Sequence, residues 1–310
     1  MEEGRLLAGR VVIVTGAGRG LGRSHALALA AEGARVVVND IGADPYGAGR
    51  SPQPAREVTD AIRRAGGEAV ADFEDVSSFA GAARLVEAAL AVFGRLDAVV
   101  NNAGIVRSES FVRLSEADWH DVLAAHLFGH AGVSAAAARH WNELAQKEGP
   151  QDWRVVNTTS PVGLAGRAGS AAYVAAKGAI AALTAAQSDE LCRYGVTVNA
   201  IAPAARTRLT EAVAGSPGEG FDRLDPANVS PLVAWLCSVH SRGVTGRIFQ
   251  VEGGRLSLMG GWYRAAVFEQ EGRLRPTELG AVIDDLIAHA PSFEGFLPGL
   301  SEAPLPEEGA

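Results

Sequence analysis

Ser160, Tyr173 and Lys177 fall within eighteen residues of one another, in the run VNTTSPVGLAGRAGSAAYVAAK. If Tyr173 and Lys177 share a helix, their i, i+4 spacing puts phenol and ammonium on one face, a turn apart. A free phenol with a pKa near ~10 is a poor base at neutral pH. A fixed cation beside it favours the phenolate and brings it into a range useful for proton transfer. Ser160 could then hold the substrate oxygen whose proton Tyr173 takes. Tyr-x-x-x-Lys also occurs on ordinary exposed helix faces, so its meaning depends on the elements that position it.

Residues 11–14 (VVIV) form a short, β-branched apolar run of the kind a buried parallel strand requires. The run leads directly into TGAGRGLG (15–22) and then into an alanine-rich helical segment. Gly16 permits a tight turn off the strand, Gly20 a close backbone approach to a pyrophosphate, and Gly22 tight helix–sheet packing. The helix N-terminus adds amide donors and a positive dipole end for phosphate. A second strand, RVVVN (35–39), ends at Asp40. A carboxylate there accepts hydrogen bonds from both ribose hydroxyls and repels a 2′-phosphate, which favours NAD over NADP. Arg19, inside the turn, pulls toward a 2′-phosphate.

Strand signals at 11–14, 35–39, 68–72, 97–101, 153–158, 196–201 and 247–251 alternate with helical ones at 20–32, 55–65, 79–93, 116–146, 171–193 and 227–238. This alternation predicts an α/β fold, a doubly wound Rossmann-type parallel sheet of seven strands with helices on both faces. Ligands of such sheets collect at the carboxyl ends of the strands. Gly16, Asp40, Asp75, Asn102, Ser160 and Pro203 all follow predicted strand ends. Residues 1–254 are expected to form this domain, and 255–310 a tail with a helix at 277–290. The tail reads as a lid edge, a subunit contact or a surface appendage. The stretch IGADPYGAGRSPQP (41–54) must loop, near the adenosine end.

These motifs, with NNAG at 101–104, resemble the short-chain dehydrogenase/reductase family over roughly residues 8–254. Within it the chain looks most like the (3R)-hydroxyacyl-CoA dehydrogenase units of multifunctional β-oxidation enzymes and their bacterial single-domain relatives. VVVNDIG (36–42), NNAGIVRSESF (101–111), HLFGHAGV (126–133), NAIAPAARTRLT (199–210) and PLVAWLC (231–237) carry that likeness. The resemblance implies that Gly16, Arg19, Gly20, Leu21 and Gly22 line a pyrophosphate. It implies further that Asp40 holds the adenosine ribose, Asp75 and Val76 the adenine. Asn102, Ala103 and Gly104 would pass beneath the cofactor, and Pro203 and Thr207 would touch the nicotinamide end. Tyr173 would be the base in oxidation and Ser160 the oxygen holder. Lys177 would bind the nicotinamide ribose and tune Tyr173. Where many members carry Asn in a proton relay, His126 stands here, either as part of that relay or as a packed structural residue. Ala204 replaces the usual glycine after Pro203.

At 310 residues and 47% hydrophobic, the chain can bury a large core. A formal charge of −8 without a Lys/Arg run argues against nucleic acid and against a basic membrane anchor. Cys192 and Cys237 read as reduced core residues of a reducing compartment, neither a disulfide nor a metal pair. No signal-peptide core, membrane-length run or peroxisomal address is evident, so the expected location is the cytoplasm. Arg206 and Arg208, with Arg107, Arg113 and Arg167, could attract an anionic substrate such as an acyl-CoA. Gly163, Leu164 and Ala165 could form an apolar wall.

The expected activity is NAD-dependent oxidation of a (3R)-hydroxyacyl-CoA by a homodimer or homotetramer. The alternatives are a dehydrogenase of free steroids or other small alcohols and a noncatalytic NAD-binding regulator.

Overall fold

A computed structural model describes residues 5–208, 210, 220–261, 264–273 and 275–290, with the side chain of Leu164 excepted. Its strands are β1 (Val11–Thr15), β2 (Arg35–Asn39), β3 (Glu68–Asp72), β4 (Ala98–Asn101), β5 (Trp153–Thr158), β6 (Val196–Pro203), β7 (Ile248–Glu252) and β8 (Arg255–Met259). They form one sheet in the order β3-β2-β1-β4-β5-β6-β7-β8. The pairings from β3 through β7 are parallel. The seven expected strands are all present.

The eighth strand goes beyond that expectation. Gly253, with φ +54°, turns the chain between β7 and β8. A connection of two residues joins only antiparallel neighbours. Residues expected to begin the tail therefore finish the sheet. The chain divides into two compact units, Met1–Leu258 and Met259–Ala310. The second contains a helix, Leu279–His289, close to the expected span.

Alternate residues of β1 serve opposite layers. Val12 and Val14 pack with α1 (Gly20–Ala31), α2 (Gln53–Arg64) and α8 (Ser230–Leu236), whereas Val11 and Ile13 pack with α3 (Phe79–Phe93) and α5 (Gly129–Glu148). All five β1 residues are buried, which explains the unbroken apolar run in place of a half-polar alternation. α4 (Glu116–Leu123), α6 (Pro161–Ala165) and α7 (Ala171–Leu191) complete the described α-helices of the first unit.

The helix expected over 116–146 is not uniform. A π turn at Ala124–Phe128 separates α4 from α5. The extra residue such a turn inserts resets which side chains face inward, and His126 is buried there.

β1 lies between β2 and β4, so the chain leaves it toward opposite edges of the sheet. The β4–β5 ladder stops at Asn101 and Asn157, while β5–β6 continues to Thr158 and Ile201. The strands splay at that point and leave a crevice at their carboxyl ends.

Candidate active site

The glycine turn is held by sterics that only glycine satisfies. A methyl group on Gly22 would lie 2.2 Å from the carbonyl oxygen of Gly16, and one on Gly16 would lie 2.9 Å from Cα of Ala103. Gly16 and Gly20 have φ of +62° and +52°, in the left-handed region. Asn102 donates through Nδ2 to the carbonyls of Thr15 (2.9 Å) and Gly16 (3.2 Å), and its N–H donates to Thr15 Oγ1. Ala103 N–H shares that hydroxyl. The segment 102–104 thus braces the turn from beneath.

Gly18 was not singled out from the sequence, although the run contains it. Its N–H donates to Asp40 Oδ2 at 2.8 Å, and a methyl group there would meet Pro54 at 2.6 Å. Gly42 N–H donates to Asp40 Oδ1 at 2.7 Å. The carboxylate at the end of β2 is therefore locked in orientation by two backbone donors. Arg19 bonds elsewhere on the following loop: Nη1 donates to the carbonyl of Ala43 at 3.3 Å. The loop 41–54 lies at this end of the cleft, as expected, with Ala43, Asp44 and Pro45 on the wall. Its Arg50 pairs with Asp75 at 2.6 Å, and Asp75 also accepts from Ser77 N–H. Val76 is buried beside them.

A single cleft is lined by the glycine turn with Arg19 and Leu21, by Asp40, Asp75 and Val76, by 102–104, and by His126, Tyr173, Lys177, Pro203 and Thr207. Ser160 alone among the expected site residues is not on that wall; it stands at the N-cap position of α6 without a side-chain cap bond, and its hydroxyl acts on the Tyr173 phenol by lowering its pKa. Thr207 packs over Gly20, at 3.4 Å from where a methyl group would project. Ala204 needs no left-handed backbone, since no described non-glycine residue has positive φ.

Tyr173 and Lys177 do share a helix, α7, with Nζ 5.6 Å from the phenol ring centre. Their electrostatics differ from the expectation. Burial raises the pKa of Tyr173 above the ordinary phenol value; the Ser160 hydrogen bond and then the charge of Arg167 oppose it. Lys177 is itself buried, and desolvation pushes its pKa down to about 7. Its ammonium donates to the carbonyl of Thr158 at 2.7 Å, a backbone acceptor that no side-chain pattern announces. Ser160, not Lys177, is the main group lowering the phenol pKa in this state.

His126 Nε2 lies 2.7 Å from the carbonyl oxygen of Ile105 and 3.2 Å from the N–H of the same residue, so the ring tautomer decides which of the two backbone groups it pairs with. Burial, with the Lys177 charge, depresses its pKa to about 3, so the ring is neutral. Its Nδ1 has no partner among the described residues. One helical turn later, His130 is buried as well; this second histidine was missed, although its i+4 spacing from His126 was a readable signal.

On the substrate side, three of the five singled-out arginines form ion pairs among the described residues. Arg107 pairs with Asp118 and Asp121, Arg113 with Glu109, and Arg206 with Asp222. Arg208 lines the cleft between the charges of Arg19, Asp40 and Asp44. Arg167 is exposed and forms no ion pair among the described residues. Gly163 is a packing position: a methyl group on it would lie 2.6 Å from Cβ of Lys177. Leu164's side chain and most of 209–219 lie outside the described residues. Cys237 is buried and its thiol is pushed up to about 12, but Cys192 is exposed in the turn after α7 and is not a core residue. Among the described residues there is no metal-binding group and no helix long and apolar enough to cross a membrane.

A turn in which methyl groups would collide, the open start of α1 and a carboxylate oriented at the next strand end together fit a dinucleotide. Residues 10–215 match the model of the short chain dehydrogenase family. The chain is 40% identical to hydroxyacyl-CoA dehydrogenase ChsB1 of Mycobacterium tuberculosis, over 94% of this chain and 92% of that one. It is 41% identical to peroxisomal multifunctional enzyme type 2 of Mus musculus, over 89% of this chain but 36% of that longer protein. A short chain dehydrogenase structure from Mycobacterium avium superposes with TM-score 0.84 at 49% identity, covering 93% and 97% of the two chains. A 7α-hydroxysteroid dehydrogenase complexed with NADH and 7-oxo glycochenodeoxycholic acid superposes with TM-score 0.71 at 27% identity, covering 82% and 97%. Cleft, fold and likeness agree: the chain belongs to the short-chain dehydrogenase family, oxidoreductases that use a nicotinamide cofactor.

Proposed function

We propose that this enzyme oxidises the hydroxyl of a (3R)-hydroxyacyl-CoA to a ketone with NAD, in fatty-acid or steroid side-chain β-oxidation. The observation that carries the reading is the placement of Tyr173 and Lys177 in one cleft with the glycine turn and Asp40. Likeness to the hydroxyacyl-CoA dehydrogenase of M. tuberculosis along nearly its whole length supports the substrate class. Asp40, oriented by Gly18 and Gly42, supports NAD over NADP.

In this reading the glycine turn, Arg19 and Leu21 hold the pyrophosphate, Asp40 the adenosine ribose, and Asp75 and Val76 the adenine. Pro203 and Thr207 hold the nicotinamide end. The nicotinamide supplies the hydride acceptor. Ser160 donates a hydrogen bond to the substrate oxygen, and Tyr173 takes the hydroxyl proton. Lys177 binds the nicotinamide ribose and, with His126, borders the path by which that proton returns to solvent. Residues 1–254 carry all of these roles; the tail is a lid edge or subunit contact. The enzyme works as a cytoplasmic homodimer or homotetramer, which light scattering at micromolar concentration tests.

The deciding experiment is NADH formation by purified protein with NAD or NADP and a panel of (3R)- and (3S)-hydroxyacyl-CoAs. Turnover of the (3R) forms with NAD is the expected result. Silence on every thioester, with NADH binding intact, overturns the substrate class. Likeness to the hydroxysteroid dehydrogenase favours free steroids as the second reading in that case.

A further inference from the structure

We propose that His130 is a positioning residue for Lys177, acting through the backbone of Thr158. The β4 ladder ends one residue before Thr158, whose N–H therefore has no β4 partner. His130, on α5, supplies one: Thr158 N–H donates to its Nε2 at 3.3 Å, and both groups are buried. The carbonyl of the same residue receives the Lys177 ammonium at 2.7 Å. Thr158 is thus gripped on one side by a neutral imidazole and on the other by the ammonium that depends on it. His130 stands on α5 just after the π turn, so its bond to Thr158 links that turn to the end of β5. Asn101 Nδ2 reaches the carbonyl of His130 at 3.4 Å and anchors the helix at that level.

His130 must be neutral to accept from an N–H, and its burial beside the Lys177 charge keeps it so. The groups around Lys177 are Tyr173 on its own helix, His126 on the π turn, His130 on α5, the Thr158 carbonyl at the end of β5, which accepts from the ammonium, and the Thr159 hydroxyl, which donates to the Lys177 backbone carbonyl. Among the described residues no carboxylate offsets the burial of the ammonium. The Thr158 carbonyl therefore carries unusual weight, since a hydrogen bond from the charged form favours that form.

Two conservative variants separate the ring's nitrogens. His130→Gln places an amide near the Nε2 position and can still accept from Thr158; His130→Asn reaches only the Nδ1 position. Lys147 and Lys177 are the chain's two lysines, so 13Cε-lysine labelling yields two resonances, which Lys147→Arg assigns. The proposal predicts that Lys177 in His130→Asn titrates roughly half a pH unit or more below its wild-type midpoint. It also predicts a kcat lower by on the order of tenfold. His130→Gln should hold both near wild type. A wild-type Lys177 titration in both variants overturns the proposal, even if melting temperatures fall; so does a shift confined to His130→Gln. The titration needs no substrate, so it stands or falls apart from the proposed hydroxyacyl-CoA activity on which the kcat arm rests.

Discussion

The ring of His126 meets that of Tyr173 edge-on, with centroids 5.3 Å apart and planes at 87°. Gly104 lies against the imidazole: a methyl group there would stand 2.1 Å from Cε1 and 2.6 Å from Nδ1. The phenol is thus held on one flank by a ring that is itself seated on glycine. Gly104→Ala should push His126 aside, costing about 1–3 kcal/mol of stability as overpacking does. A larger fall in kcat than in cofactor affinity should accompany it. Urea denaturation and NADH titration check both; an Ala variant with unchanged kcat would remove His126 from the reaction.

Ser160→Ala tests the electrostatics of the phenol. Burial raises the Tyr173 pKa and the Ser160 hydrogen bond holds it down. Loss of that bond should move the alkaline limb of the oxidation profile to higher pH, beyond any loss from substrate positioning. Arg167→Ala should move the limb in the same direction by less, because its charge is the smaller opposing influence. Initial rates from neutral to alkaline pH decide; an unmoved limb in Ser160→Ala would refute the assignment.

Lys177 gives a stability prediction with a defined sign. Its folded-state pKa of about 7 lies below the ordinary 10.5. Between those values the unfolded chain binds the proton and the folded one does not, so stability rises with pH across that window. Below it, the folded protein bears the full cost of a buried ammonium. Lys177→Met should therefore stabilise the cofactor-free protein more at pH ~6 than at pH ~10, by up to a few kcal/mol less the loss of the Thr158 bond. Urea midpoints at the two pH values check it, and equal effects at both would disprove it.

Asp40→Ser removes the carboxylate proposed to hold the adenosine ribose and also the acceptor for Gly18 and Gly42. NAD affinity should fall on the order of tenfold or more, with NADP binding improved relative to it. Fluorescence titration with NADH and NADPH reads the ratio. No change in preference would assign discrimination to Arg19 or Arg208.

The residues legible from sequence were those whose type alone limits what they can do. Glycines between strand and helix, an acid at a strand end and Tyr-x-x-x-Lys narrow the choices before any fold is known. The π turn escaped because an alanine-rich segment hides the insertion of one residue into a helical period. Lys177's anchor escaped because a backbone carbonyl has no sequence signature. β8 was readable, as Gly-Gly followed by the alternating RLSLM, but was absorbed into the tail. Residue type left the arginines open between anion site and plain surface charge, and it gave no sign that Arg107, Arg113 and Arg206 pair with nearby carboxylates. Cys192 misled, because a helical pattern does not say where the helix ends.

The splay of the sheet beyond Asn101 and Asn157 divides the labour of the cleft. β1 and β2 deliver Gly16 and Asp40 to one side of the cleft, whereas β5 and β6 deliver Thr158 and Pro203 to the other. A dinucleotide laid across both sides acts as a tie between two halves that share no backbone ladder at that level. Occupancy should then slow amide exchange at the ends of β1 and β5 together, making the ligand part of the protein's mechanical frame as well as its chemistry.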